Sequence, residues 1–285
     1  MTSLTSKEFQ LMRDYIEKEC GMDLGRDKAY LIESRLSGIL AESGLSSFEE
    51  LYYKLRSQKD KEMNEKIIDA ITTHETFWFR DKTPWRILEE VLLPIYIAEI
   101  REKKRSKVRI WSAGCSTGQE PYSTAMSIDN YLERHRIKDI SLDHFEILAT
   151  DISNIVLDIA RAGKYDSISV MRGLDDEYKN KYFTNEGRKW ILSKEIRDKV
   201  EFRQFNLQNS FTSLGKFDIV FCRYVLIYFS SQLKKEVFQK ISEVLNRPGG
   251  VLFLGNSEVF TDYEDNFVRM QHQGGVYYMV KESGV

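Results

Sequence analysis

The sequence predicts an α/β protein, in which a doubly wound, mostly parallel sheet follows an all-α N-terminal domain. Three observations carry this prediction. Residues 1–73 show apolar side chains at helical spacing and no strand pattern. From residue 108 onward, apolar runs typical of buried parallel strands alternate with helical segments, and the first of them enters a glycine-rich turn. We place a linker and a helix at 74–107, so that the α/β domain covers 108–285.

The N-terminal domain opens with a capping-box pattern, in which Glu8 follows Thr5 at the third position. The first helix is expected to end at Gly21. We find no catalytic constellation in this domain, and packing or partner docking is its simpler interpretation. Three further helices are predicted, beginning at Lys28, at a second capping box of Ser46 and Glu49, and at Lys61.

The turn after the strand 108–113 is the first candidate ligand site. Gly114 and Gly118 bracket it, and the missing Cβ atoms permit unusual backbone angles and a close approach by a ligand. A helix with Glu120 in its first turn follows, and this acid would repel a phosphate group. The pattern therefore favours a nucleoside-type ligand with a positive group over NAD or ATP, although a plain strand-to-helix turn would have the same sequence.

A second apolar strand, 145–151, ends in Asp151. An acid at this place hydrogen-bonds ribose hydroxyls in nucleoside-binding α/β folds. Aspartate is also a preferred N-cap, and it would suit the helix predicted at 152–162 equally well. Spacing alone leaves both interpretations open.

Residues 164–205 are polar and irregular, and they contain a hairpin pattern at 183–190. We therefore predict a small inserted antiparallel β element here. The run 202–207 returns to the main sheet as a strand end. Such inserted elements serve recognition more often than chemistry.

The apolar run 217–229 is predicted as a buried strand whose tip carries Arg223, Tyr224 and Tyr228. Polar groups at the carboxyl end of a parallel strand face the ligand crevice of a doubly wound sheet. The remaining predicted elements are a helix at 231–245 and a terminal antiparallel hairpin formed by 251–258 and 274–280.

Composition limits the partners that need to be considered. The chain has 285 residues and a net charge of −2, which gives no reason to expect nucleic acid as a partner. Its three scattered cysteines are too few for a disulfide framework or a zinc site, and we expect no metal. No signal core or membrane-length apolar run is present, so we expect a cytoplasmic protein without membrane insertion, and a monomer by default.

A glycine turn after the first strand, an acid after the second, a polar tip on a later strand and a Pro-Gly-Gly turn together describe a class I S-adenosylmethionine-dependent methyltransferase. The motif set resembles the CheR-type chemotaxis receptor methyltransferases more specifically, over nearly the whole chain. The segments that carry the resemblance are TTHETFWFR (72–80), SAGCSTGQEPYS (112–123), ATDIS (149–153), NL (206–207), CRYVLIYF (222–229) and LFLGNSE (252–258).

The resemblance implies methyl transfer from S-adenosylmethionine to glutamate side chains in the cytoplasmic region of chemoreceptors, with γ-glutamyl methyl esters and S-adenosylhomocysteine as products. It also implies the roles of individual residues. Arg80 would orient the incoming carboxylate near the methyl group, and Tyr228 would form a second wall of that channel. The implied cofactor-binding residues are His74, Thr76, Arg80, Gly114, Glu120, Asp151, Asn206, Leu207, Tyr224 and Val225.

Within that set, the resemblance assigns the methionine ammonium to Glu120 and the ribose hydroxyls to Asp151. Two positions depart from the family pattern, which usually has asparagine where this chain has His74 and Tyr224. A second function therefore stays open, a pseudoenzyme or sensor that binds cofactor or receptor without turnover. A third is a methyltransferase with another protein or a small molecule as acceptor.

Overall fold

The computed structural model describes residues 4–58, 60–258 and 266–282, which form a helical domain and an α/β domain. The apolar faces of the N-terminal helices pack into a core of their own, which includes Met12, Ile32 and Phe48. This separate core confirms the all-α N-terminal part. Its helices are α1 (Ser6–Cys20), α2 (Ala29–Glu42), α3 (Phe48–Gln58) and α4 (Lys61–Ile71).

Helix α1 has the predicted capping box, because Thr5 Oγ1 accepts a hydrogen bond from Glu8 N while the Glu8 carboxylate accepts one from Thr5 N at 2.9 Å. The second predicted box is wrong by one residue. Ser47 Oγ accepts from Glu50 N at 3.1 Å, and the side chain of Glu49 instead pairs with Lys7 of α1. Glu49, which the local pattern assigned to the capping box, thus forms an ion pair with another helix instead.

The two domains are joined by an extended segment and one long helical stretch, 83–101. It consists of α5 (Thr83–Ile87), a π-helical turn (Leu88–Leu92) and α6 (Leu93–Arg101). Leu93 N donates to the carbonyl of Leu88, and Pro94, which has no N–H, follows directly. The wider turn accommodates this proline inside the stretch without breaking it.

The large sheet has the strand order β6-β2-β1-β7-β8-β10-β9. Its first five strands in this order run parallel, and β10 pairs antiparallel with β8 and β9. Strands β1 and β2 have the predicted bounds. The strands are β1 (Val108–Ala113), β2 (Phe145–Asp151), β6 (Val200–Gln204), β7 (Ile219–Phe221), β8 (Val251–Phe253), β9 (Phe267–His272) and β10 (Gly275–Val280).

Helices cover both faces of this sheet, as a doubly wound fold requires. Alternate residues of β1 point to opposite cores, with Ile110 packing in one and Trp111 in the other. On the Ile110 face lie α5, α6, α7 (Gln119–Arg134) and α8 (Asn154–Ala162), and on the Trp111 face lies α12 (Ser231–Val244). The strand order reverses at β1, between β2 and β7, which is where such sheets form their ligand crevice.

Two strand predictions need correction. The run 217–229 is a strand only at 219–221, because the chain turns into a left-handed residue, Tyr224, and a 3₁₀ turn at Leu226–Tyr228. The predicted terminal pairing of β8 with β10 is present, but β9 was missed. Residues 259–265, between β8 and β9, lie outside the described residues.

The predicted β insertion is a three-stranded antiparallel sheet in the order β3-β5-β4. The predicted hairpin is formed by β4 and β5, which pair across a turn with Gly187 at φ 68°. Strand β6, at the end of the predicted segment 164–205, belongs to the large sheet, so the inserted part is shorter. Its elements are β3 (Lys164–Asp166), α9 (Ser167–Met171), α10 (Asp176–Tyr182), β4 (Phe183–Glu186), β5 (Lys189–Leu192) and α11 (Lys194–Arg197).

Candidate functional site

A cleft opens at the carboxyl ends of β1, β2 and β7 and contains about 960 Å³ of empty space, its open mouth included. All the residues predicted for cofactor binding or catalysis line it, although they come from distant parts of the chain. These residues are His74, Thr76, Arg80, Gly114, Glu120, Asp151, Asn206, Leu207, Tyr224, Val225 and Tyr228.

The glycine turn after β1 brings the backbone to the edge of the cleft. Gly114 has a φ of 76°, and a Cβ atom added there would lie 2.4 Å from Cγ2 of Val225. Any larger residue would therefore clash with the opposite side of the cleft. Gly118, at φ 92°, is the N-cap of α7 and places Glu120 in the first turn of that helix.

Asp151 lies at the end of β2, and its residue surface is only 8% exposed. Its carboxylate accepts hydrogen bonds from Ser116 N at 2.8 Å and from Ser153 N at 3.1 Å. Burial raises the pKa of this carboxyl above its ordinary value, and the backbone donors oppose that rise. The N-cap of α8 is Ser153, whose Oγ accepts from Val156 N, so the capping interpretation of Asp151 is wrong.

Glu120 belongs to a buried charge cluster that sequence reasoning missed. Arg223, whose side chain is 1% exposed, donates to Glu120 at 2.9 Å and to Asp81 at 2.6 Å. Ser112 Oγ donates to the other Glu120 oxygen at 2.7 Å. One arginine thus faces two carboxylates, and the cluster keeps one net negative charge beside the cleft when both acids are ionised. Arg223 was recognised only as part of a polar strand tip.

His74 lies where the two domains meet. Its Nε2 is 3.0 Å from Thr72 Oγ1 and 3.3 Å from a carboxylate oxygen of Asp69, at the end of α4. The same Asp69 oxygen accepts a hydrogen bond from Ser153 Oγ at 2.6 Å. His74 therefore lines the cleft while its ring is held by the helical domain.

The helical domain forms one side of the cleft, through Cys20 and Met22. Asn206 Nδ2 donates to the carbonyl of Glu19 at 2.8 Å, which ties this side to the α/β domain. Sequence reasoning missed this wall. Gly21, predicted only to end the first helix, also marks this contact. A Cβ atom at Gly21 would lie 2.5 Å from the side chain of Leu233 in α12, so the two domains approach closely there.

In the described ranges 4–58, 60–258 and 266–282, no group of three or more His, Cys, Asp or Glu side chains is arranged to hold a metal ion. Within the same ranges, no helix combines the length and the apolar character needed to cross a membrane.

The strand order, the glycine turn and the acid-lined cleft at the switch point are those of a class I methyltransferase. Comparison with known proteins then identifies the family. Residues 74–276 match the family model described as CheR methyltransferase, SAM binding domain, and residues 7–72 match CheR methyltransferase, all-alpha domain. The chain belongs to the CheR methyltransferase family, as its motifs predicted.

The relatives support this assignment over nearly the full chain. The chain is 42% identical over 275 residues to the chemotaxis protein methyltransferase Cher2 of Pseudomonas putida, covering 96% of this chain and 98% of the relative. It is 41% identical to chemotaxis protein methyltransferase 1 of Pseudomonas aeruginosa, covering 98% and 100%. The corresponding enzyme of Vibrio anguillarum is 40% identical, covering 99% and 100%. These relatives do not favour the pseudoenzyme or the unrelated-acceptor alternatives.

Proposed function

We propose that this chain transfers a methyl group from S-adenosylmethionine to glutamate side chains in the cytoplasmic region of methyl-accepting chemotaxis receptors. The products are γ-glutamyl methyl esters and S-adenosylhomocysteine, and the enzyme acts in the cytoplasm as a monomer. The names of the similar methyltransferases support a role in chemotaxis. One observation supports a carboxylate as the methyl acceptor: Arg80 lines the cleft, and most of its N–H donors are free.

Arg80 has five N–H donors on its guanidinium group. Among the described residues, the only hydrogen bond of this guanidinium group runs from Nη1 to the carbonyl of Glu75, at 2.9 Å. A carboxylate accepts two parallel N–H bonds from an arginine, and this geometry both binds and orients it. The free donors of Arg80 therefore suit the side chain of a glutamate substrate.

Three features of the cleft fit S-adenosylmethionine. The Asp151 carboxylate accepts two backbone N–H bonds, which leaves lone pairs for the ribose hydroxyls. The net negative charge around Glu120 and Arg223 suits the methionine ammonium group. Gly114 gives the ligand access to the backbone. The adenosine moiety would lie against Asn206, Leu207 and Val225, and the methionine and methyl groups would lie near Thr76, with His74 and Tyr224 as further contacts.

The bound cofactor supplies an electrophilic methyl group on its sulfonium. A glutamate carboxylate is ionised at pH 7, so its oxygen attacks without a general base. The chain's own contribution is then to align the two groups and to exclude water. Arg80 orients the carboxylate, and Tyr228 closes the opposite side of the channel. Because no general base is needed, the proposed residues include no pair that would act as general acid and general base.

The first test is calorimetric titration of the full chain with S-adenosylmethionine and S-adenosylhomocysteine, followed by methyl transfer to a purified receptor cytoplasmic fragment. We expect micromolar cofactor binding and base-labile methyl incorporation, with methanol released on alkaline treatment. A fragment with glutamine at the target positions should accept no methyl groups. A folded protein that binds neither compound would overturn the enzyme assignment, and base-stable labelling would overturn the ester assignment.

The residue-level test is Arg80→Ala. Loss of the bidentate contact should lower kcat/KM for the receptor fragment by roughly 100- to 1,000-fold, while the Kd for S-adenosylhomocysteine stays within about threefold. Arg86→Ala is the matched control, because Arg86 is exposed on α5 and is not part of the cleft lining. An Arg80→Ala protein with wild-type activity would remove the proposed role of Arg80.

A further inference from the structure

Tyr224 is held at two points in a backbone conformation that bulky residues rarely adopt. Its φ is 60°, in the left-handed region, where a residue with a large side chain is strained. Its N–H donates to the buried carboxylate of Glu258 at 2.6 Å. Its hydroxyl donates to Asp81 at 2.7 Å, and burial, followed by this hydrogen bond and the Asp81 charge, raises the pKa of the hydroxyl. The ring therefore has a defined place on the cleft wall.

The guanidinium of Arg80 lies on this ring, with its Cζ 3.5 Å from the ring centroid. A cation on an aromatic face is attracted by the ring while its N–H donors stay unused. Arg80 is also 5.3 Å from the ring of Phe77, so aromatic faces contribute much of its surroundings.

Arg80 lies close in sequence or space to three acids, and yet it forms no ion pair with a described residue. Each of those acids has another partner. Glu75 pairs with Arg172, and Asp81 and Glu120 both pair with Arg223. Asp81 in addition accepts the Tyr224 hydroxyl. Because these three acids are paired with other residues, the charge of Arg80 stays available to a ligand in the cleft.

We propose that Tyr224 is a positioning residue that carries Arg80 on its ring and keeps its N–H donors free for the carboxylate of the acceptor. This inference rests on the proposed glutamate methylation and extends it. Tyr224 then acts on the acceptor side of the reaction, rather than mainly by binding the cofactor. Without the ring, Arg80 is free to pair with the acids of the cluster and is lost to the acceptor.

The test compares Tyr224→Leu, which removes the ring, with Tyr224→Phe, which keeps the ring and removes only the hydroxyl. We expect Tyr224→Leu to raise KM for the receptor fragment by roughly tenfold, and to raise the Kd for S-adenosylhomocysteine, which Tyr224 also contacts, by a clearly smaller factor. Tyr224→Phe, which keeps the ring, should have a KM for the fragment close to the wild-type value. In an Arg80→Ala background, Tyr224→Leu should have little further effect on KM, because the two changes remove the same interaction.

A structural readout separates this inference from the proposed function. In NMR spectra of the full chain, the Arg80 Nε–H signal should show a ring-current shift. Tyr224→Leu should remove most of this shift, because only the more distant Phe77 ring remains, and Tyr224→Phe should preserve it. Absence of this shift in the wild type, or additive effects of Tyr224→Leu and Arg80→Ala on KM, would overturn the positioning role. Failure of the wild type to form base-labile methyl groups would instead overturn the glutamate methylation on which the role rests.

Discussion

The two acidic parts of the cleft, around Asp151 and around Glu120, lie at the ends of neighbouring elements but differ in how their charge is compensated. Among the described residues, the Asp151 carboxylate accepts hydrogen bonds only from backbone N–H groups. Burial raises its pKa, and these donors and the nearby His74 oppose the rise. The Glu120 carboxylate accepts hydrogen bonds from the buried guanidinium of Arg223 and from the hydroxyl of Ser112. The first arrangement leaves a carboxylate ready to accept hydrogen bonds from hydroxyl groups. The second leaves a cluster with a single net charge, suited to a cation.

The sharpest way to break the Glu120 side is Arg223→Met. Removing one partner of a buried ion pair leaves carboxylates without compensation, and we expect the free energy of unfolding to fall by about 3–5 kcal/mol in urea denaturation. Arg86→Met is the control, because this exposed arginine has one hydrogen bond, to the carbonyl of Gln273, and its loss should lower stability by no more than about 1 kcal/mol. Adding Asp81→Asn to Arg223→Met should recover part of the loss. A loss below about 1 kcal/mol would mean that the cluster contributes little to folding.

Asp151→Ala tests the other side. If the carboxylate holds the ribose hydroxyls, the affinity for S-adenosylhomocysteine should fall by about 1–3 kcal/mol, which is roughly a 5- to 150-fold rise in Kd by calorimetry. Helix α8 keeps its own cap, Ser153, so the loss of affinity should not depend on helix unfolding. Unchanged affinity in a folded variant would contradict the ribose assignment.

The raised pKa of Asp151 predicts a pH dependence of stability and of cofactor binding. Because the folded-state pKa lies above the unfolded one, ionised Asp151 costs stability at pH values above the folded pKa, and this cost is relieved as the pH falls through it. Protonation also removes the charge that accepts the ribose hydroxyls. We therefore expect affinity for S-adenosylhomocysteine to decline as pH falls, by at most about tenfold per pH unit, and Asp151→Asn to flatten that profile. If affinity depends on pH in the same way in the wild type and in Asp151→Asn, a group other than Asp151 causes the loss of affinity at low pH.

The smallest effect is expected from Ser153→Ala, which separates capping from ligand binding two residues after Asp151. Loss of the cap and of the hydrogen bond to Asp69 should lower the free energy of unfolding by roughly 1 kcal/mol. The Kd for S-adenosylhomocysteine should change by less than about twofold. Ser153→Thr, which retains a capping hydroxyl, serves as the control. A large loss of cofactor affinity in Ser153→Ala would show that capping and binding are coupled at this edge.

Much of the α/β architecture could be predicted because buried parallel strands are continuous apolar runs. Strands β1 and β2 have the predicted bounds for this reason. The same rule failed for 217–229, because an apolar run does not distinguish a strand from the buried loop and 3₁₀ turn that follow Phe221. It also missed β9, an edge strand whose exposed residues interrupt the apolar pattern. The domain bounds of 1–73, 74–107 and 108–285 stay predictions.

Spacing in the sequence placed Gly114, Glu120 and Asp151 at the cleft, because glycines and acids after apolar strands mark the carboxyl edge of a doubly wound sheet. The other predicted lining residues came from the resemblance to the CheR-type methyltransferases. Spacing left the choice between capping and ligand binding open at Asp151, and only the structure showed that Ser153 is the cap. Tertiary structure alone decided the partners of Arg223 and the cleft wall formed by Cys20 and Met22. Those contacts join residues more than a hundred positions apart, and local spacing carries no information about which distant side chains meet.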